Sequence, residues 1–243
     1  MSGEEETGFG PFIDRADAGC KLALKLATYA NRPGVLVLAL PRGGVPVAFE
    51  IAFRLNVPLD VFLVRKLGLP GQRELAMGAI ASGGIRVLNE RLVQELSLSE
   101  TIIEAVTARE QQELERREKL YRGSRAAPEI KGRSVIVVDD GMATGTTMLA
   151  AVTTLKQMQP DRLIIAVPVA PPEIYAEFGG LVDEIVCLLN PQTFFAIGLW
   201  YEDFSQTTDQ EVCDLLARAA QRHLPAHSPP APESVISAIP EPK

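Results

Sequence analysis

The sequence predicts an α/β fold of three layers, a mostly parallel sheet flanked by helices. Three observations carry that prediction. The runs VLVLAL at 35–40 and VIVV at 135–138 are unbroken apolar stretches of strand length, as strands buried on both faces require. Strand-like and helix-like segments alternate along the chain, the pattern of a parallel sheet with right-handed crossovers. Both apolar strands end in loops of small residues that open onto helices, and ligands in such sheets sit beyond the carboxyl ends of the strands.

Taken in order, residues 1–10 are acidic and contain glycine, which predicts disorder. From Asp14, Ala18, Leu22, Leu26 and Tyr29 recur at helical spacing, and Asn31-Arg32-Pro33-Gly34 closes the helix. The strand at 35–40 ends at Pro41-Arg42-Gly43-Gly44, and a helix runs from about 45 to 55. Residues 59–64 read as the next strand, with Arg65 and Lys66 at its end. Residues 67–74 are polar and hold Gly68, Pro70 and Gly71, which predicts a loop. Residues 76–81 and 85–88 pair as a hairpin across Ser82-Gly83-Gly84.

Residues 99–123 interleave Glu and Arg at i, i+4 spacing, the mark of a solvated helix. Ile102, Ile103, Val106, Leu114 and Tyr121 give it a thin apolar stripe, enough to pack on the body or on a second subunit, so a homo-oligomer is left open. Beyond 150 come a strand at 162–169, a short helix at 171–178 and a strand at 182–188. Residues 190–204 concentrate Phe194, Phe195, Trp200 and Tyr201 in a chain that is 6% aromatic, as core or as a ligand-facing cluster. Residues 207–224 form a final amphipathic helix through Val212, Leu215, Leu216 and Ala219. Residues 225–243 are rich in Pro, Ala and Ser and read as a disordered tail, which leaves one domain over 11–224.

The chemistry concentrates in SVIVVDDGMATGTTMLA at 134–150: strand, two acids, a loop of small residues, then helix. Gly, Ala and Thr at a helix start let backbone N–H groups close on an anion, which the helix dipole favours. The hydroxyls of Thr144, Thr146 and Thr147 add donors. Asp139 and Asp140 repel a phosphate but suit the hydroxyls of a sugar attached to it. A strand-to-helix turn with an Asp cap and no ligand is the plainer reading. There is neither a Gly-Lys-Ser/Thr P-loop nor a G-x-G-x-x-G after a strand.

This stretch resembles the phosphoribosyl-pyrophosphate (PRPP) loop of the type I phosphoribosyltransferases: apolar strand, two acids, variable residues, Thr-Gly-x-Thr. The resemblance implies transfer of a 5-phosphoribosyl group from PRPP to a nitrogen acceptor, with pyrophosphate leaving. It implies that Asp139 and Asp140 hold the ribose hydroxyls while Gly141, Met142, Ala143, Thr144, Gly145, Thr146 and Thr147 hold the 5′-phosphate. Arg42, Gly43 and Gly44 resemble the family's pyrophosphate loop. Arg65 and Lys66 with the following Gly/Pro loop resemble its flexible catalytic loop, Lys66 meeting pyrophosphate with help from Arg42 and Arg73. Residues 190–204 resemble the hood, with Phe195, Trp200 or Tyr201 stacking on a base and Glu202 reading its edge. Mg²⁺ is the implied cofactor, held mostly by the substrate, with Asp139 and Asp140 reaching it through water. Residues 99–123 read as an insertion relative to the smallest family members.

One departure matters. Where transferases of 6-oxopurines carry a third acid, this chain has Ala143, so the general base must lie elsewhere, and Glu74 is the nearby candidate. A regulatory protein of the same fold that binds PRPP or a nucleotide without catalysis is the alternative, and a hydrolase at the same centre a third.

Composition narrows the partners. Of 243 residues, 47% are hydrophobic, and the net charge of −7 comes without any basic block, which argues against a nucleic-acid surface. Cys20, Cys187 and Cys213 are widely spaced in apolar patterns and read as buried thiols in a reducing, cytoplasmic compartment. Two His near the C-terminus speak against a His-based metal site. No apolar run approaches the length of about 18 residues that a membrane helix needs, and the acidic N-terminus is unlike a signal peptide.

Overall fold

The structure, a computed structural model, describes residues 11–222, with the side chains of Arg73 and Glu74 excepted. The segments 1–10 and 225–243, and both His residues, lie outside it. Helix α1 (Arg15–Lys25) starts where the Asp14 side chain accepts a hydrogen bond from Asp17 N–H, and it buries Ala18 and Leu22. It stops earlier than its apolar spacing suggests, and a 3-10 turn, Ala27–Tyr29, carries the rest.

Strand β1 (Val35–Ala39) leads to α2 (Gly44–Leu55) and β2 (Leu59–Val61). Later come β6 (Ser134–Val138), α5 (Thr146–Gln157), β7 (Arg162–Val169), α6 (Ile174–Phe178) and β8 (Glu184–Leu189). These five strands form one parallel sheet in the order β2-β1-β6-β7-β8. Alternate residues of β1 point to opposite faces: Val35, Val37 and Ala39 join the core under α1 and α2, Leu36 and Leu38 the core under α5. Both faces are covered, which is why the strand reads as unbroken apolar sequence.

Between β2 and β6 lies a second, antiparallel sheet of β3 (Val64–Leu69), β4 (Gln72–Ala81) and β5 (Ile85–Leu88). The expected loop at 67–74 is instead the end of a two-stranded ribbon. β3 and β4 pair almost to the tip, and Gly71 at φ +83° makes the turn. Composition hides the pairing, because Gly68, Pro70 and Gly71 are turn formers and Gln72, Arg73 and Glu74 are polar, so the stretch reads as a loop.

Helices α3 (Glu90–Glu95), α4 (Glu100–Arg122) and α7 (Asp209–Arg222) complete the fold. α4 buries Ile103, Val106, Leu114 and Tyr121 against this body, while Ile102 faces solvent. Two charged residues share its buried face: Glu110 pairs with Arg65 of the ribbon, and Arg122 with Asp60 and the Val61 carbonyl of β2.

Candidate active site at the β1–β6 crevice

The strand order reverses between β1 and β6: the chain winds from β1 outward to β2, but from β6 the other way to β7 and β8. Such a switch point opens a crevice at the carboxyl ends of the two strands. β1 runs there into Pro41-Arg42-Gly43-Gly44, and β6 into Asp139-Asp140. The two loops are in contact. A Cβ on Gly43 would stand 2.0 Å from Asp140 Oδ2, and one on Gly44 only 2.7 Å from the Val138 carbonyl oxygen. Gly-Gly is therefore a packing requirement: only bare backbone fits against the acid pair. The Pro41–Arg42 peptide is cis.

The two acids have different surroundings. Asp139 Oδ1 accepts the N–H of Asp140 at 2.9 Å, while burial and the facing Asp140 carboxylate push the Asp139 carboxyl well above the usual range. Asp140 Oδ2 is held at 2.8 Å by Arg15 Nε, from α1. Arg42 turns toward α7, with Nη1 3.8 Å from Asp209 Oδ1, which also accepts the Tyr121 hydroxyl at 2.6 Å.

Beyond the acids, residues 141–147 ring a cavity of about 180 Å³ closed on one side by Ile197. Ala143, Thr144, Thr146 and Thr147 are exposed, and the Thr144 and Thr146 hydroxyls lie 3.1 Å apart. Gly145, at φ +65°, turns the chain into α5 against the Phe178 ring. Met142 does not fit the expected role of phosphate ligand. Its side chain is buried and its N–H donates to the Val169 carbonyl at 2.9 Å, so it anchors the loop.

The ribbon divides the basic pair, because neighbouring residues of a strand face opposite ways. Arg65, expected at pyrophosphate, is turned to α4, where Nε donates to Glu110 Oε2 at 2.9 Å. Burial alone would raise the Glu110 carboxyl, but its bonds from Arg109 and Arg65 lower it, so it stays ionised. Lys66 faces the other way and lines a largely apolar cavity of about 240 Å³ together with Thr146 and Thr147. Glu74 and Arg73 fall on β4, but their side chains lie outside what is described.

The aromatic segment also divides. Tyr201 is buried, its hydroxyl donates to the Asp140 carbonyl at 2.6 Å, and its ring packs on Phe12 and Phe204. It is a strut under the acid pair and has no face free for a base. Trp200 packs half-buried on the core and Glu202 is exposed, whereas the Phe195 ring is 82% exposed.

A family model described as the phosphoribosyl transferase domain matches residues 14–189, which spans every strand of the parallel sheet and both loops. The chain belongs to that family. Two Mycobacterium tuberculosis proteins, provisionally named phosphoribosyl transferases, are each 48% identical over 208 residues, 86% of this chain and 47% of theirs. The chain thus spans about half the length of the curated relatives it matches. The crystal structure of TT1426 from Thermus thermophilus has 42% identity and a TM-score of 0.77, covering 86% of this chain and 98% of that one.

In this phosphoribosyl transferase domain, sequence reading missed Arg15, Glu110 and Asp209, and mistook Tyr201. Each acts through a partner remote in sequence, 125 residues away for Arg15 and 61 for Tyr201. The signal that could have flagged Arg15 is weak: a basic residue in the first turn of a helix, where the dipole disfavours it. Among the described residues no group of three His, Cys, Asp or Glu could hold a metal, and the three cysteines are free thiols, half-buried rather than buried. No helix of the described residues is long and apolar enough to cross a membrane.

Proposed function

We propose that the domain binds PRPP at the β1–β6 crevice and transfers its 5-phosphoribosyl group to a nitrogen acceptor, releasing pyrophosphate. One observation carries this reading: the Pro41–Gly44 loop is packed against Asp139 and Asp140 at a topological switch point, beside an open Thr loop at the start of α5. A pyrophosphate cradle, two carboxylates and a phosphate cradle would then meet at the carboxyl ends of β1 and β6.

In this reading the N-terminus of α5 and the hydroxyls of Thr144, Thr146 and Thr147 hold the 5′-phosphate. Asp139 and Asp140 accept the ribose hydroxyls, and Gly43 brings its backbone N–H to the pyrophosphate, whereas the expected contact from Gly44 is taken, its N–H being donated to the Leu40 carbonyl at 3.1 Å. Lys66, on the ribbon over α5, supplies positive charge as the leaving group departs, and ribbon closure excludes water. The donor set suits Mg²⁺ only through water: two carboxylates, one of them engaged by Arg15, are no cage, and Mg²⁺ is content with few protein ligands. When bound with the substrate it neutralises pyrophosphate charge. Phe195 is the ring free to stack on a flat acceptor, and Glu202 stands exposed near it in sequence. A single domain over 11–224, with 99–123 as an insertion, and a reducing cytoplasm for its free thiols complete the proposal.

A second reading draws on the same contacts. With Tyr201 buried and Arg65 paired to Glu110, two of the expected substrate contacts are committed elsewhere, which favours a PRPP- or nucleotide-binding regulator. Pyrophosphate release from PRPP and Mg²⁺ with pooled nucleobases decides between them. Acceptor-dependent release supports the transferase; binding without release supports the regulator; release without any acceptor points to hydrolysis.

A further inference from the structure

Helix α5 has two faces that carry apolar residues. Met148, Ala151, Val152 and Leu155 are buried in the core on one side of the parallel sheet. Thr146, Leu149, Ala150 and Thr153 recur at i, i+3, i+4 and i+7 on another face, where Leu149, Ala150 and Thr153 are only half-buried. The antiparallel sheet is divided in the same way. Leu67, Leu69 and Met77 join the core that holds Ile103 and Val106 of α4, whereas Val64, Lys66, Ala76 and Gly78 are half-buried. The cavity of about 240 Å³ lies between these two half-buried faces, walled chiefly by Val64, Ala76, Ala79, Val87, Leu149 and Ala150. Polar groups at its edge already have bonds within the chain. The Thr153 hydroxyl donates to the Leu149 carbonyl at 2.7 Å, and Asn89 Oδ1 accepts the Leu92 N–H at 3.1 Å.

We propose that this cavity is a binding site for an uncharged aromatic compound of one ring or two fused rings, and that the bound ring holds the ribbon over α5. The hold on the ribbon rests on the PRPP reading above, in which the ribbon brings Lys66 to the departing pyrophosphate. The binding of the ring stands without that reading.

Size and chemistry select the occupant. Protein interiors are close-packed, and voids larger than a water molecule are few. An apolar cavity of about 150 Å³ stays dry and takes benzene. The cavity here, about 240 Å³, therefore has room for a fused pair of rings. Its walls offer methyl and methylene groups, so a charged ligand body would lose its water without gaining partners. Thr146 and Thr147 are exposed and mark the open end, beside the phosphate loop, which is where a polar substituent of the ring finds hydroxyls. The small residues Ala76 and Ala150 leave ribbon and helix without side chains long enough to meet. A ring lying between β3, β4, β5 and α5 makes those contacts instead, and so favours the ribbon position that places Lys66 near Thr146 and Thr147. By linkage, the ring and PRPP then strengthen each other's binding by one common factor.

The probe is 5-fluoroindole, titrated into the whole protein and followed by its ¹⁹F signal. Wild type binds it with a dissociation constant of about 1 mM or tighter. Ala150→Leu and Thr153→Leu, each checked for folding by thermal melting, fill the space and weaken the probe by about tenfold or more. Should neither variant fold, nuclear Overhauser contacts from the probe to the methyl groups of Val87, Leu149 and Ala150 in wild type locate it instead. Absence of binding, binding that both folded variants retain, or contacts elsewhere overturns the proposal. So does light scattering that shows a wild-type dimer refusing the probe and monomeric filled variants, which assigns the face to a second copy of the chain. Calorimetry with saturating probe then reads the second half: PRPP affinity rises by about fivefold or more, and PRPP tightens the probe equally. Unchanged or weakened PRPP binding overturns the hold on the ribbon. A protein that binds the probe in the cavity but no PRPP with or without it overturns the functional reading, while the ring site stands.

Discussion

Gly43→Ala sets a small backbone gain against a steric conflict at the acid pair. Gly43 sits at φ −60° and ψ −32°, which any residue adopts. Restricting the unfolded chain would by itself stabilise the Ala variant by about 0.4–1 kcal/mol. The new Cβ, however, would stand 2.0 Å from Asp140 Oδ2 and 2.6 Å from its Cγ. Non-bonded heavy atoms are comfortable at about 3.5 Å, so the carboxylate must retreat by more than about 1 Å. It is the same carboxylate that Arg15 holds at 2.8 Å. A charge-assisted hydrogen bond contributes about 1.5–3 kcal/mol, so losing most of it outweighs the entropic gain and leaves a net loss of about 1–2 kcal/mol. Urea denaturation followed by the fluorescence of Trp200, the single tryptophan, reads the stability. Calorimetry reads PRPP affinity, which should fall roughly tenfold as Asp140 leaves its place. A raised or unchanged urea midpoint with unchanged affinity would refute the packing of the loop on the acid pair.

Three further outcomes follow from the site. Because the folded Asp139 carboxyl is raised, its contribution to stability is full below the ordinary carboxylate pKa and is lost as pH rises through the raised value. Asp139→Asn should therefore melt higher than wild type at neutral pH, with the gap closing in acid, while PRPP affinity drops about tenfold or more; a lower melting temperature at neutral pH contradicts the burial argument. Lys66→Ala should reduce turnover more than PRPP affinity, since its charge meets pyrophosphate as it leaves, and equal losses in steady-state and binding assays would make it a ground-state ligand instead. Phe195→Ala removes an 82% exposed ring, so stability should change by no more than about 0.5 kcal/mol; the acceptor KM should rise, and an unchanged KM would remove Phe195 from the acceptor site.

What was legible in the sequence is what short-range physics writes there. Unbroken apolar runs announce strands covered on both faces, and β1 and β6 appear where those runs lie. A Gly-Gly after β1 and an Asp-Asp followed by a Gly/Thr loop after β6 are local requirements of backbone approach and anion binding, so they too are visible without a structure. Tertiary packing decided the rest. Arg65 and Lys66 are equivalent as composition, yet strand pleating sends one to Glu110 and the other toward Thr146 and Thr147. An alternation of period two does not say which parity faces a site until the partner strand and α4 are in place. The loop at 67–74 became a ribbon because β4 was there to pair with it. Tyr201 had the composition of a base stacker, and packing between Phe12 and Phe204 buried it beneath Asp140. Arg15 is the extreme case: a guanidinium recruited across 125 residues, chosen by where α1 packs and by nothing in its own neighbourhood. The chain's periodicities determine which elements form and which loops can cradle anions; long-range contact determines which charged side chains those loops have left to use.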